Sequence, residues 1–489
     1  MKLKRIALLV AGLTASATAF AGVTPTQIEA ARAAGTLDQA FITGASAPSK
    51  SIYEGFVGSG TGIGCDPGTQ SIFTSQVAIQ TGATTVNLTP GGLGNILGYA
   101  CTRGVRTLAV YHSIGGGSLT AYTPHTLNTS IERLRFLGLA CTSGPFNYVD
   151  STNANNNATV YKACTALIPA AAVSEVVGNP GKPAGGFSDV EARLFPTSIG
   201  GGNVSSKGIE ADAFLGQAFG VVVSTNLYRA LQTAQGVTAA QIAADTAFDS
   251  TLAPNITKAQ YTSIITKQSG SPYQTDWSAI LGTPGVGKKV VLVRRVATSG
   301  TQASSNTFFL SNNCAAAVNG SLVPASTADS LAGFFEVAEG SSTGNVKTAI
   351  TAADAAGNFA IGVVSAENDW RVDSAIQNGY RFVKIDGTHP EAGDVANARN
   401  TAINGQYAFH MELKTFVANT ATAFASGLIN QIADNLNNPQ TAACAVLPRG
   451  LTLNPTNPNS AGNCVVGGAG QVAKGSNEGN NCKPQVLFF

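Results

Sequence analysis

The stretch Val290-Val291-Leu292-Val293-Arg294-Arg295-Val296-Ala297-Thr298-Ser299-Gly300-Thr301 decides how this chain is read. Four consecutive apolar residues describe a strand buried on both faces, as in a parallel sheet. The strand runs into two arginines. Ser-Gly-Thr then precedes Asn306-Thr307-Phe308-Phe309-Leu310, which reads as the opening of a helix. Such a junction has the parts of an anion site. Arg presents a planar fork to an oxyanion. The hydroxyls add donors, and free N–H groups with the helix dipole favour negative charge. The same residues also read as a solvated strand end with an ordinary N-cap, so companions elsewhere must decide between the two readings.

Working outward, strands and helices alternate. Residues 27–34 read as a short helix closed by Gly35, 40–43 as a strand and 52–57 as a helix. Strands are expected at 106–112 and 219–224, helices at 227–235 and 239–247, and a short helix at 276–281. Residues 185–191 read as a strand end and helix start, and 357–365 and 382–387 as strands, the latter with an Asp-Gly turn. Residues 58–104 and 120–184 read as Gly/Thr- and Asn-rich insertions, and 445–489 as loop. This alternation predicts an α/β fold with largely parallel sheets.

The chain opens with Lys2, Lys4 and Arg5, a short apolar core over 6–13, and the small-x-small site Ala19-Phe20-Ala21. Residues 1–21 therefore read as a secretory signal cleaved after Ala21. No later apolar run approaches the ~20 residues of a membrane helix, so the expected mature protein is exported and not membrane-embedded. Removing three basic residues leaves 26 Lys+Arg against 27 Asp+Glu, a net charge of −1. No basic field would attract nucleic acid. The 468 residues left from 489 exceed what one core serves, so two lobes are expected. All eight cysteines follow the signal, and an even count in an oxidising compartment predicts disulfides. Proximity along the chain suggests Cys65–Cys101 and Cys141–Cys164, with Cys464–Cys482 and Cys314–Cys444 completing the set.

Other motifs carry less. Gly282-Thr283-Pro284-Gly285-Val286-Gly287-Lys288-Lys289 outlines a P-loop, but it lacks the Ser/Thr after Lys and precedes a strand instead of following one. His112, His125, His389 and His410 form no metal-binding pair, and His112 and His410 read as core residues. Ser46, Ser118 and Ser299 have no base placed beside them, and no Gly-x-Ser-x-Gly elbow occurs. The expectation is a protein that is not an enzyme and carries no cofactor.

The Gly/Ser loops occur in an order that resembles the phosphate-binding protein of the phosphate ABC importer, a type II periplasmic binding protein. Thr43-Gly44-Ala45-Ser46-Ala47 is similar to the family's Thr-Gly-Ala-Gly-Ala turn, and Tyr111-His112-Ser113-Ile114-Gly115-Gly116-Gly117-Ser118 to its Gly/Ser loop. Gly186-Phe187-Ser188-Asp189 resembles Gly-Ala-Ser-Asp, Asp276-Trp277 the Asn/Lys-Trp turn, and Arg295 to Thr301 the Arg-x-Asp-Gly-Ser-Gly-Thr segment. Ile385-Asp386-Gly387 and Tyr407-Ala408-Phe409 resemble its Asp-Gly-Val and Tyr-Pro-Phe stretches.

The resemblance implies a two-lobed fold with the ligand in a cleft between lobes. Lobe one would be 22–223 with 366–489, lobe two 224–365, and the crossing strands would lie near Val223 and Ser365. It implies a ligand set of Ser46, Ala47, Gly117, Ser118, Asp189, Arg295, Ser299, Gly300 and Thr301. Arg295 would give the charged fork, and Ser299, Gly300 and Thr301 the donors at a helix start. Asp189 would accept a hydrogen bond from a protonated oxyanion, and so select phosphate over fully ionised sulfate. The implied partners are inorganic phosphate or a similar oxyanion and an ABC importer permease. The chain departs from the family at Pro48-Ser49, where a donor set is lost, and at Ala297, where an Asp would orient the Arg. Gly116-Gly117 stands where the family tends to have Ser. Those departures favour the alternative of an extracellular structural or adhesive protein that reuses the fold.

Overall fold

The structure is a computed structural model. It describes residues 22–46, 48–57, 63–74, 85–86, 95–136, 146–150, 153–162, 167–169, 181–267, 276–314, 322–371, 379–437, 447, 449–456 and 472–488. The expected signal at 1–21 and the whole of Ala47 lie outside the described residues.

The strands that carry the argument are β1 (Leu37–Gly44), β2 (Ser71–Thr74), β3 (Ile96–Arg103), β4 (Arg106–Ser113), β5 (Gly185–Ser188), β6 (Gly208–Ser224), β7 (Val290–Arg295), β8 (Phe335–Gly340), β9 (Phe359–Ser365), β10 (Tyr380–Phe382), β11 (His410–Ala418) and β12 (Leu451–Leu453). The helices are α1 (Pro25–Ala33), α2 (Ser49–Val57), α3 (Thr225–Ala234), α4 (Gly300–Leu310), α5 (Thr343–Ala355) and α6 (Ala423–Asn437). Local chemistry explains their ends. Thr24 caps α1 by accepting from Gln27 N at 3.2 Å, while the Gln27 side chain accepts from Thr24 N at 2.7 Å. Ser342 and Asn345 build the same reciprocal cap on α5.

One mixed sheet runs in the order β8-β7-β9-β6-β11-β5-β1-β4-β3-β2 and continues beyond β2. The expectation of a largely parallel sheet is corrected. Two parallel trios, β4-β1-β5 and β8-β7-β9, are separated by the antiparallel pair β6 and β11. Residues 96–103, expected inside an insertion, form a full strand of the sheet. Two residues, Gly104 and Val105, connect β3 to β4, and a link that short permits only an antiparallel hairpin. The C-terminal region is also not all loop: β12 pairs with the middle of β6, Leu215 opposite Leu453.

β6 organises the rest. It is 17 residues long, about 55 Å at strand rise, with a register shift between Asp212 and Gly216. Its first half pairs with β11 and its second half with β9 and β10. The trios therefore point in opposite directions and are offset along one strand. Ser188, at the end of β5, pairs with Lys414, which pairs with Asp212. Ser365, at the end of β9, pairs with Phe219. The C-terminal ends of both trios thus arrive head to head at the middle of β6.

Apolar faces cover this sheet. α6 buries Ala425, Leu428, Ile429, Ile432 and Ala433, a helical 3–4 spacing, against Ile52 and Phe56 of α2 and Ile42 of β1. Each fully buried Leu or Ile contributes about 1.5–3 kcal/mol. The largest cluster spans the junction between the trios. It joins Leu119, Tyr122 and Val190 to Phe309, Phe335, Ile361 and Phe409.

The disulfides correct part of the expected pairing. Cys65–Cys101 forms as expected, but Cys314 pairs with Cys482. The pairings Cys464–Cys482 and Cys314–Cys444 are thereby overturned. Nearness in sequence misled because residues 475–482 dock across β11 and carry Cys482 to the end of α4. Cys141, Cys164, Cys444 and Cys464 lie outside the described residues.

Candidate functional site

Loops that follow parallel strands gather at one end of the sheet, where helices start with free N–H groups. Here two such ends face each other, and four segments meet between them.

The first is the loop after β4. Ser118 opens a 3-10 turn, Ser118–Ala121, and is buried. Gly117 before it has φ +81°, and a Cβ there would lie 2.8 Å from Ser299 Cα. Leu119 N donates to Thr298 O at 3.1 Å, so this loop packs directly on the start of α4. The second segment is Asp189 after β5, 2% exposed. Ser118 Oγ donates to its Oδ2 at 3.1 Å, while its buried Oδ1 has no hydrogen-bond partner among the described residues. Burial pushes the Asp189 carboxyl up to about 6, against the pull of Ser118 and of the Arg295 charge.

The third is the junction that opened the sequence reading. The helix there begins at Gly300, with Ser299 as N-cap, so Ser-Gly-Thr stands at a helix start and the helix already runs through Asn306. The tight turn places its first N–H groups at the strand end. A Cβ on Gly300 would lie 2.1 Å from Ser118 Oγ and 2.3 Å from Asp189 Oδ2, so only glycine permits this approach. Ser299 and Thr301 are buried at 2% and 3% exposure. The alternative of a solvated strand end is thereby excluded.

Arg295 is buried as well, and the fourth segment holds it. Its Nη1 donates to Thr343 Oγ1, at the first residue of α5, at 2.9 Å and its Nη2 to Ser341 O, in the turn after β8, at 3.1 Å. Its own N–H donates to Gln302 Oε1 at 3.0 Å. With Ala297 in the turn, Arg295 is still held, by two neutral acceptors, Thr343 Oγ1 and Ser341 O. Arg295 Nε is buried with no hydrogen-bond partner among the described residues. Burial pulls its guanidinium down to about 10, while the charges of Asp189 and Glu367 hold it up.

The structure thus brings together Gly117, Ser118, Asp189, Arg295, Ser299, Gly300 and Thr301. Ser46 does not join by hydrogen bonding. It follows β1 at the same sheet edge, and its carbonyl accepts from Ser49 N at 3.2 Å as α2 begins. Sequence reasoning missed Ser341, Thr343 and Glu367. The Ser-Ser-Thr start of a capped helix after a strand was the available signal for the first two.

Groups set aside from the sequence stay outside the site. His112 is fully buried against Tyr99 Oη at 2.6 Å, and His410 against Thr452 Oγ1 at 2.7 Å. Burial pulls them down to about 3 and about 4, so both are neutral core residues. Among the described residues no His/Cys/Asp/Glu group could hold a metal ion, and no helix is long and apolar enough to cross a membrane.

No family model and no curated protein matches the chain. Solved structures are matched at a distance, among them the following two. One is described as a phosphate ABC transporter substrate-binding protein from Clostridium perfringens with bound phosphate. It shows 16% identity and a TM-score of 0.27, over 46% of this chain and 65% of that one. The match therefore spans just under two thirds of that protein's length. The other is an ABC-type phosphate transport receptor from Vibrio cholerae, at 12% identity and a TM-score of 0.28, over 51% of this chain and 73% of that one.

Proposed function

We propose that this chain is an exported solute-binding protein that takes a protonated tetrahedral oxyanion, inorganic phosphate or a close relative. The observation that carries the reading is that Asp189 Oδ1 and Arg295 Nε are both buried with no hydrogen-bond partner among the described residues, on side chains close enough to feel each other's charge, and that Asp189 lies against Gly300 at the start of α4. An oxyanion with one proton answers both. Its charged oxygens take the guanidinium fork, the first N–H groups of α4 and the Ser299 and Thr301 hydroxyls. Its hydroxyl donates to Asp189, which repels an oxygen that carries no proton. Ser118 fixes the carboxylate's other oxygen, so Oδ1 faces the ligand.

The reading keeps the two lobes, 22–223 with 366–489 and 224–365. Ser118 and Asp189 belong to the first, and Arg295 and α4 to the second. Gly300 already touches Ser118 and Asp189, so a ligand enters by separation of the lobes about β6 and closure follows. Feeding an importer permease and residence outside the cytoplasm complete the proposal.

A second reading has one observation in its favour. The Asp189 carboxylate lies against Gly300 and is itself an anion at a helix N-terminus, so it can seal the cleft. The chain would then be a structural or adhesive protein that assembles without ligand.

Titration calorimetry with phosphate, a phosphonate and sulfate at pH 7.5 separates the two. The expected outcome is saturable phosphate binding that Arg295→Ala abolishes, with no heat from sulfate. No heat from any of the three overturns the solute-binding reading.

A further inference from the structure

Residues 475–488, expected to be loop, are fastened at several points. Glu412, 2% exposed on β11, accepts from Ser476 Oγ at 2.6 Å, Asn477 N at 2.8 Å and Gly479 N at 2.7 Å. Lys414 Nζ donates to Gly479 O at 2.6 Å. Asn481 is the clasp. Its Oδ1 accepts from Glu412 N at 2.7 Å and its Nδ2 donates to Glu412 O at 3.0 Å. Its backbone N and its Nδ2 also donate to both oxygens of Glu191, at 2.9 and 2.8 Å. Glu191 is two residues from Asp189. The next residue, Cys482, is bonded to Cys314.

Cys314 lies four residues past the end of α4, the helix whose first residue touches Asp189. Asn313 Nδ2 donates to Leu194 O at 2.9 Å beside it, and Phe308 stacks on Phe409 at 4.7 Å between ring centroids. α4 is therefore gripped at both ends by the side of the molecule that carries Asp189. Four residues of chain let Cys314 lie at most about 14 Å from the end of α4, so the slack is less than that. Beyond that, any movement of α4 away from Asp189 must break the disulfide or pull Asn481 off Glu191 and Glu412.

We propose that residues 475–482, anchored through Cys314–Cys482, form a strap that holds the cleft shut and sets how fast its ligand exchanges. The strap rests on the reading of the cleft given above, but its closure is measurable with no ligand present.

The test is hydrogen exchange on the oxidised full chain, comparing wild type with Cys314→Ser/Cys482→Ser and with the control Cys65→Ser/Cys101→Ser. Peptides covering 117–122 and 298–305 are expected to exchange about tenfold faster, or more, in the first variant and at the wild-type rate in the control. A peptide over 40–44 is expected to be unchanged in both. An increase shared by that reference peptide, or no increase, overturns the strap. Should the double variant not fold, Asn481→Ala keeps the disulfide, removes the clasp and carries the same comparison. If the strap result holds while calorimetry finds no phosphate binding, the clamp stands and only the ligand reading fails. If phosphate binds, its release rate is expected to rise in the strap variant and not in the control.

Discussion

Asp189 is 2% exposed beside a guanidinium, yet its carboxyl is held near 6 and not below the ordinary 3.8, because the loss of water outweighs the attraction. This fixes the sign of a pH effect. Between 3.8 and about 6 the folded chain keeps a proton that the unfolded chain has released. The associated stability is full below 3.8 and is lost as pH rises through about 6, by about 3 kcal/mol at 1.36 kcal/mol per unit. Asp189→Asn removes the titration. Urea unfolding is expected to show the variant gaining on wild type between pH 4 and pH 7.5, and a constant difference over that range would refute the account. Asp189 and Ser118 entered the reading through the resemblance of their loops to a known family, not through a local signal of their own. Thr343 did not enter it. A threonine at the first turn of a capped helix looks like any other until the fold turns it toward Arg295.

At the level of elements, α4 illustrates how two local signals can mark one helix unequally. Its apolar residues, Phe308 to Leu310, come late, so the apolar pattern marks only the part from 306, and the start at Gly300 is carried by Ser-Gly-Thr. The buried polar face of Gln302, Ser304, Ser305 and Thr307 gives no apolar signal for the earlier turns. Those turns are helical because packing covers them. Gly300→Ala is expected to force α4 away from Ser118 and Asp189, to cost about 1–3 kcal/mol in chemical denaturation and to remove anion binding. Gly427 in α6 is the contrast. It is exposed with nothing within 4 Å of an added Cβ, so Gly427→Ala is expected to raise stability by about 0.5–1 kcal/mol. Equal effects at the two glycines would count against the close approach of Gly300 to Ser118 and Asp189. The disulfides teach a similar lesson. Cys65–Cys101 joins neighbouring segments and was readable from spacing, whereas Cys314–Cys482 spans 168 residues and depends on where the C-terminal segment docks.

For the molecule as a whole, strand types were legible while direction and offset were not, because both are decided by pairing across hundreds of residues. Apolar runs announce β7, β9 and the end of β6, but nothing in them says that β6 would be shared by both halves of the sheet. The largest apolar cluster crosses that junction, from Leu119 and Val190 to Phe335 and Phe409. The oxidised chain is therefore expected to melt in a single calorimetric transition with equal calorimetric and van't Hoff enthalpies. Two resolved transitions would show the halves to be independent. β6 has one more consequence, and it concerns time. β9 and β10 flank its end on opposite edges, and β11 and β12 flank its middle in the same way, so its pairing is incomplete until residue 453 has been synthesised. Partners so distant in sequence make folding slow and leave the first half of the newborn chain without its central support. In the exported protein proposed above, a nascent chain kept open in this way would stay threadable through a narrow channel and take its final shape on the far side.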